Sequence, residues 1–250
     1  MSALRVERDG AVLTVTLARP ERRNAFDAAL IDGLAAAFAD VGDARAVVLR
    51  GDGPSFSAGA DVEWMRSSVD LSYDENVADA LRLRAMLDAI DQCPAPVVAA
   101  VQGHALGGGC GLVACCDVAI AAPDAEFAFS EVKLGIVPAV ISPFALAKIG
   151  PGAARRWFVT GERFDAGVAL RIGLVHEVAD DLDAAVSRIV GEVLTAGPEA
   201  ARTAKQLARA PLSAPETAAL IARHRTSEEG QEGLRAFLEK RSAAWRGDAA

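Results

Sequence analysis

Pro94-Ala95-Pro96-Val97-Val98-Ala99-Ala100-Val101-Gln102-Gly103-His104-Ala105-Leu106-Gly107-Gly108-Gly109-Cys110 sets proline punctuation, an apolar run and a string of small residues one after another. The run Val97–Val101 predicts a buried strand, residues 103–109 a loop, and the apolar stretch after them a short helix through Cys116. The same plan occurs about fifty residues earlier. There a buried strand at 46–49 leads into a loop at 51–61, and a helical stretch reaches Gln92 with a polar break between Ser67 and Tyr73. Two strands that each end in a small-residue loop opening a helix suggest an α/β spiral of ββα repeats.

Outward from this pair, residues 4–8, the dipeptide Asp9-Gly10 and the alternating run Val12–Leu17 read as a β-hairpin, with Asp-Gly supplying the positive φ angles of a tight turn. Leu13, Val15 and Leu17 share one face of it. Asp27 is placed to cap a helix on which Leu30, Leu34 and Phe38 recur every fourth residue, and Gly42 ends that helix. Ser142 reads as a cap for a later helix, with Pro143 in its first turn. Beyond Asp181 the chain reads as helical, with breaks at Pro198, Pro211 and Pro215.

A chain of 250 residues, 52% of them hydrophobic, can bury one sizeable core. The division expected is a core over residues 1–190 and a helical region over 191–250. A formal net charge of -8 opposes a broad polyanion-binding face, so nucleic acid is not an expected partner. No charged-then-apolar leader opens residues 1–5, and residues 97–101 are too few to span a bilayer, so the expectation is a cytoplasmic protein with no membrane partner. Cys93, Cys110, Cys115 and Cys116 have neither metal-ligand nor disulfide-framework spacing and read as buried thiols. His104, His176 and His224 are dispersed, so no metal site is expected.

Neither loop carries a nucleophile. Small residues let a ligand oxygen approach main-chain N–H groups, and Gly108 stands where a helix start leaves donors unpaired. Two such donors on one oxygen form an oxyanion hole. On spacing alone, tight packing or a phosphate cradle is the more common meaning of such glycines. A dinucleotide fingerprint fits poorly, because residues 103–109 lack the G-x-G-x-x-G register.

Five stretches resemble, in order and separation, the crotonase superfamily, also called the enoyl-CoA hydratase/isomerase family. They are Arg19-Pro20-Glu21-Arg22-Arg23-Asn24-Ala25, Phe56-Ser57-Ala58-Gly59-Ala60-Asp61, Gly103 through Cys110, Cys116-Asp117-Val118-Ala119-Ile120-Ala121, and Phe127-Ala128-Phe129-Ser130-Glu131-Val132-Lys133-Leu134-Gly135-Ile136-Val137-Pro138. The resemblance implies a crotonase (ClpP-like) spiral whose C-terminal helices form a trimer or a dimer of trimers. It implies an acyl-CoA thioester as substrate and no cofactor beyond the coenzyme A that the substrate carries. It makes the N–H groups of Ala60 and Gly108 an oxyanion pair for a thioester enolate. It lays coenzyme A along Arg22, Arg23 and Ala25 and along Ala58, Asp61 and Val62, with Lys240 or Arg241 as further phosphate contacts.

Hydratases of this family usually work with two glutamates. The second corresponds to Glu131; the first is absent, its position being held by Gly111. A lone carboxylate must both activate water and protonate Cα, or else shuttle one proton as an isomerase does. Ser130 or a backbone group near Ala139 can help hold the water, and Phe127, Phe129 and Trp64 are candidates for an apolar surround that raises the Glu131 pKa. With Trp64-Met65 and Ser130-Glu131-Val132, the chain is most similar to the methylglutaconyl-CoA hydratase-like branch, whose acyl groups are short, branched or carboxylated. The activity this implies is a carbon–oxygen lyase of branched-chain amino acid or fatty acid breakdown. A Δ3,Δ2-enoyl-CoA isomerase, a decarboxylase and a non-catalytic acyl-CoA-binding protein are the alternatives.

Overall fold

The computed structural model describes residues 3–209 and 211–246, so the ends of the two expected regions, residues 1–2 and 247–250, lie outside the described residues. Strands β1 (Leu4–Asp9) and β2 (Val12–Leu17) form the antiparallel hairpin. Asp9 pairs with Val12, so the two-residue turn is Gly10-Ala11, not Asp9-Gly10. Only Gly10 has positive φ, at 52°, the arrangement in which glycine takes the first central position.

From β2 onward the main sheet is parallel. Helix α1 (Ala28–Ala39) leads to β3 (Ala46–Gly51). Helices α2 (Val62–Ser68) and α3 (Tyr73–Asp91) lead to β4 (Val97–Val101). A short strand β5 (His104–Leu106) and α4 (Gly108–Cys115) lead to β6 (Val118–Ala121). After β7 (Glu126–Ala128) come α5 (Ser142–Thr160), β8 (Phe164–Asp165), α6 (Ala166–Arg171) and β9 (Glu177–Val178). The order β1-β2-β3-β4-β6-β9 makes one sheet and β5-β7-β8 a second. Asp27 caps α1 as the sequence predicts, its carboxylate accepting the Leu30 N–H at 2.8 Å. The polar break resolves into Ser72, which caps α3 in a reciprocal pair with Glu75. Ser142 does not cap α5: it is the first helical residue, and its hydroxyl donates to the Ala139 carbonyl at 2.9 Å.

Alternate residues of the parallel strands face two cores, as a two-residue period requires. Val47, Leu49, Val97, Ala99 and Val101 pack under α1, α3 and α4. Ala46, Val48, Val98, Ala100 and Ile120 meet Ala185, Val186 and Val190 of α7 (Leu182–Thr195) on the other side. Helices α8 (Pro198–Leu207), α9 (Ala214–Thr226) and α10 (Glu228–Glu239) follow, with Pro198 and Pro215 in the first turns of α8 and α9.

Residues 103–109 are less of a loop than the sequence suggests. His104–Leu106 is a strand because backbone groups on both sides claim it. Ser57 donates to the His104 carbonyl at 2.9 Å and Leu106 donates back to Ser57 at 3.0 Å, while β7 pairs on the other edge. The 57–61 segment is tied in turn to Phe26, which donates to the Gly59 carbonyl at 2.7 Å and accepts from Asp61 at 2.8 Å. Residues of four separate chain segments thus lie side by side and extend the second sheet. Gly59, at φ 86°, makes the approach feasible, since a Cβ there would lie 2.6 Å from the Leu106 carbonyl oxygen. Gly59→Ala is therefore expected to lower stability by about 3 kcal/mol, combining left-handed strain with overpacking. Chemical denaturation checks this; a loss within experimental error would contradict it.

Candidate active site

The turn before α1 is held by polar side chains spent on backbone. Asn24 is buried at φ 52°. Its Oδ1 accepts from the Arg19 N–H at 2.8 Å, and its Nδ2 donates to the Asp52 and Ser55 carbonyls at 2.9 and 2.8 Å. Arg19 bridges Asp27 at 2.9 Å and Asp61 at 3.0 Å and donates to the Ala25 carbonyl at 2.7 Å. These bonds seat Phe26 against residues 59–61.

Phe26, Ala58, Ala60, Trp64, Gly108 and Glu131 surround one cavity of about 360 Å³, a size suited to a small ligand group. Its lining also includes Met65 and Ser68 of α2, Asn76, Asp79, Ala80 and Leu83 of α3, and Leu134, Ile136, Val137, Val140 and Ile141. Among the described residues, neither the Ala60 N–H nor the Gly108 N–H has a hydrogen-bond acceptor. The causes differ. Gly59 and Asp61 make the bridge to Phe26, and strand alternation turns the intervening amide of Ala60 away from it. Gly108 opens α4, where first-turn amides have no intrahelical partner. The two segments adjoin: a Cβ at Gly59 would lie 3.5 Å from the Gly108 nitrogen. A pair of free amides on one cavity can stabilise charge developing on a ligand oxygen.

Glu131 begins beside them on the 3-10 turn Ser130–Leu134. Gly107 lets its carboxylate close in: a Cβ at Gly107 would stand 3.2 Å from Oε1. Oε2 is buried and has no hydrogen-bond partner. Burial pushes the Glu131 pKa up, opposed only in part by its own backbone N–H. Of the aromatic surround expected from sequence, only Trp64 lines the cavity. Phe127 stacks on Phe164 at 5.7 Å and Phe129 meets Phe158 at 4.9 Å, both in the core behind it.

Of the sequence-predicted residues, Ala58, Ala60, Trp64, Gly108 and Glu131 converge here, and Ser130 joins them. The others are placed differently. Gly111 is buried in α4 and does not line this cavity: Ile141 fills the space beside it, 2.6 Å from where a Cβ would be. Ala139 is exposed and off the cavity, between the lining residues Pro138 and Val140. Ala25 is buried under Arg19, and Val62 is 60% exposed at the start of α2. Asp61 is turned to Arg19. Burial opposes its charge, but the Glu63 N–H and the guanidiniums of Arg19 and Arg22 outweigh burial and hold the carboxyl below the usual range. Arg22 and Arg23 are exposed beside the cavity edge, where Ala58 donates to the Arg23 carbonyl at 2.9 Å. Lys240 ends α10 and Arg241 is paired with Glu232 and Glu239; neither lines the cavity of its own chain.

The α3 contribution is not picked out from the sequence, although Asn76, Ala80 and Leu83 recur at helical spacing, which was the available signal. All four cysteines are buried, and burial pushes the Cys116 thiol up to about 12, so these thiols are poor nucleophiles. Among the described residues no helix is long and apolar enough to cross a membrane.

The chain resembles known proteins along nearly its whole length. The family model described as Enoyl-CoA hydratase/isomerase matches residues 7–248. The crystal structure of an enoyl-CoA hydratase from Shewanella pealeana superposes with TM-score 0.92 at 40% identity, covering 97% of this chain and 96% of that one. Pseudomonas aeruginosa AtuE superposes with TM-score 0.93 at 37% identity, covering 98% and 99%. A crotonyl-CoA hydratase of Syntrophomonas wolfei is 33% identical over 251 residues, 95% of each chain.

Because burial disfavours ionised Glu131, its folded-state pKa lies above the ordinary 4.5. The neutral acid therefore carries no penalty below that value, and stability is lost as pH rises through the folded-state pKa. Glu131→Gln is expected to match the parent in stability below pH 4.5 and to exceed it increasingly toward neutrality. Denaturant midpoints across that range measure this, and a constant difference at every pH would refute it.

Proposed function

The chain belongs to the enoyl-CoA hydratase/isomerase family, the crotonase superfamily, and on that premise we propose that it is an enoyl-CoA hydratase adding water reversibly to a short, branched 2-enoyl-CoA. The observation that carries this reading is the buried, unpartnered carboxylate oxygen of Glu131 on the same cavity as the free amides of Ala60 and Gly108.

In the reaction, the thioester oxygen takes hydrogen bonds from Ala60 and Gly108. Glu131 removes a proton from water as the hydroxyl oxygen bonds to Cβ, and the π electrons pass to the thioester oxygen as an enolate. The enolate then collapses and Cα takes the proton from Glu131. Each amide can contribute about 3 kcal/mol to the charged state. A raised pKa suits a group that must first accept and then release the proton. With Ile141 filling the space beside Gly111, no carboxylate acts from that position.

The exposed Arg22 and Arg23 beside Ala58 suit the phosphates of coenzyme A, and the exposed apolar residues Leu134, Ile136 and Val137 suit its pantetheine arm. A branched acyl group suits the apolar walls of Trp64, Leu83 and Ile141. A carboxylated one suits them less, because the charged residues of the lining, Glu131 and Asp79, are both acidic. The lone carboxylate gives the isomerase reading a specific support, since a double-bond shift needs one proton carrier and no water.

Incubation with 2-enoyl-CoA esters in heavy-oxygen water separates the two. Hydration incorporates the label at Cβ, isomerisation incorporates none, and Glu131→Gln is expected to lower kcat by at least about a hundredfold. Full turnover in that variant would defeat the reading, and binding without turnover in the parent would leave an acyl-CoA-binding protein.

We also read residues 191–250 as the assembly region of a homotrimer or a dimer of trimers. Phe237 and Leu238 are 81% and 77% exposed on α10, and an apolar groove runs between α8 and α9. Sedimentation equilibrium is expected to return three or six times the 25.9 kDa chain mass, and a monomer would contradict it.

A further inference from the structure

The α2–α3 side of the cavity carries polar groups that the hydration chemistry does not use. Ser68 ends α2, and Asn76 and Asp79 stand one turn apart on the face of α3 that continues through Ala80 and Leu83. Their hydrogens are already committed. The Ser68 hydroxyl donates to the Met65 carbonyl at 2.8 Å. Both Asn76 amide hydrogens are taken, one each by the Leu71 and Ser72 carbonyls at 3.0 Å. Asp79 has no hydrogen to give when ionised and has no salt-bridge partner among the described residues. Arg82, whose charge is felt by Asp79, is bound to Asp32, with Nε donating at 2.6 Å.

What these three lining residues still offer is the Ser68 oxygen, the Asn76 Oδ1 and the Asp79 carboxylate, which are acceptors without a donor among them. Phe26, Trp64, Leu83 and Ile141 give the cavity apolar lining deeper than this rim's exposed Asn76. An acyl chain held at Ala60, Gly108 and Glu131 therefore runs along apolar surface toward a rim that can only accept hydrogen bonds.

Resting on the proposed acyl-CoA site, we infer that this rim selects acyl groups whose distal end carries a hydrogen-bond donor, a hydroxyl or an ammonium, and rejects those ending in a carboxylate. A donor there meets an unpaired acceptor, whereas a carboxylate meets Asp79 as a like charge and finds no N–H or O–H to bind. A terminal methyl falls between, losing no partner of its own but leaving the rim to water.

The test uses saturated CoA thioesters of one chain length, ending in methyl, hydroxyl, ammonium or carboxylate, with affinities read by calorimetry on the full chain. The donor-ended esters are expected to bind about tenfold more tightly than the methyl-ended one, and the carboxylate-ended ester about tenfold more weakly. Asp79→Asn is expected to restore most of the carboxylate-ended ester's loss relative to the methyl-ended ester within the same variant, a ratio insensitive to any change in stability. Tighter binding by hydroxyl than by ammonium identifies Asn76 and Ser68 as the chief partners, and the reverse identifies Asp79; either order supports the rim. Equal affinities for all four, or a preference for the carboxylate, with hydration of a short 2-enoyl-CoA intact, would overturn this inference alone. Absence of binding by every ester would overturn it together with the acyl-CoA reading.

Discussion

The site depends on one close approach of backbone to backbone. Residues 57–60 must lie against 104–108 tightly enough to exchange hydrogen bonds, and no side chain can stand between them. Gly59 faces the Leu106 carbonyl, Gly108 faces the Phe26 ring, and Gly109 faces the Ser57 carbonyl, each at a distance that a Cβ would violate. Strand alternation on one side and a helix start on the other then leave the Ala60 and Gly108 amides unpaired. In the proposed reaction they serve a thioester oxygen because no other bond uses them.

The same crowding shapes the carboxylate chemistry. Gly107 admits Glu131 to a position where its charge is poorly solvated, so burial holds its carboxyl above the ordinary range. Ile141, which also lines the cavity, has taken the volume beside Gly111. At that position an apolar side chain therefore stands where a carboxylate would need room. The polar rim on α3 adds discrimination at a distance from the reacting bond, where binding can vary without disturbing the oxyanion pair.

Much of this was legible in the sequence, and the remainder was illegible for physical reasons. The Asp27 cap and the Leu30, Leu34, Phe38 stripe are local signals with a helical period, and they appear where expected. Gly108 at a helix start follows from an apolar strand running into glycines. The strand His104–Leu106 does not, because three residues carry no usable period and its partners lie at 57 and 126–128. Gly10-Ala11 replaces Asp9-Gly10 because strand register, not dipeptide preference, decides which residues turn. Asp61 beside the cavity reads as a ligand contact until Arg19, forty-two residues away, claims it. Asn76 and Asp79 are not singled out by the sequence, since helical spacing puts them on one face but does not say that this face meets a cavity.

Whether two main-chain amides share one thioester oxygen can be seen in a crystal structure with a bound non-reactive acyl-CoA. That oxygen is expected within about 3 Å of both the Ala60 and the Gly108 nitrogen, with the Glu131 carboxylate beside Cα. An acyl-CoA whose carbonyl oxygen lies against other donors, or reaches only one of the two amides, would contradict the shared oxyanion pair.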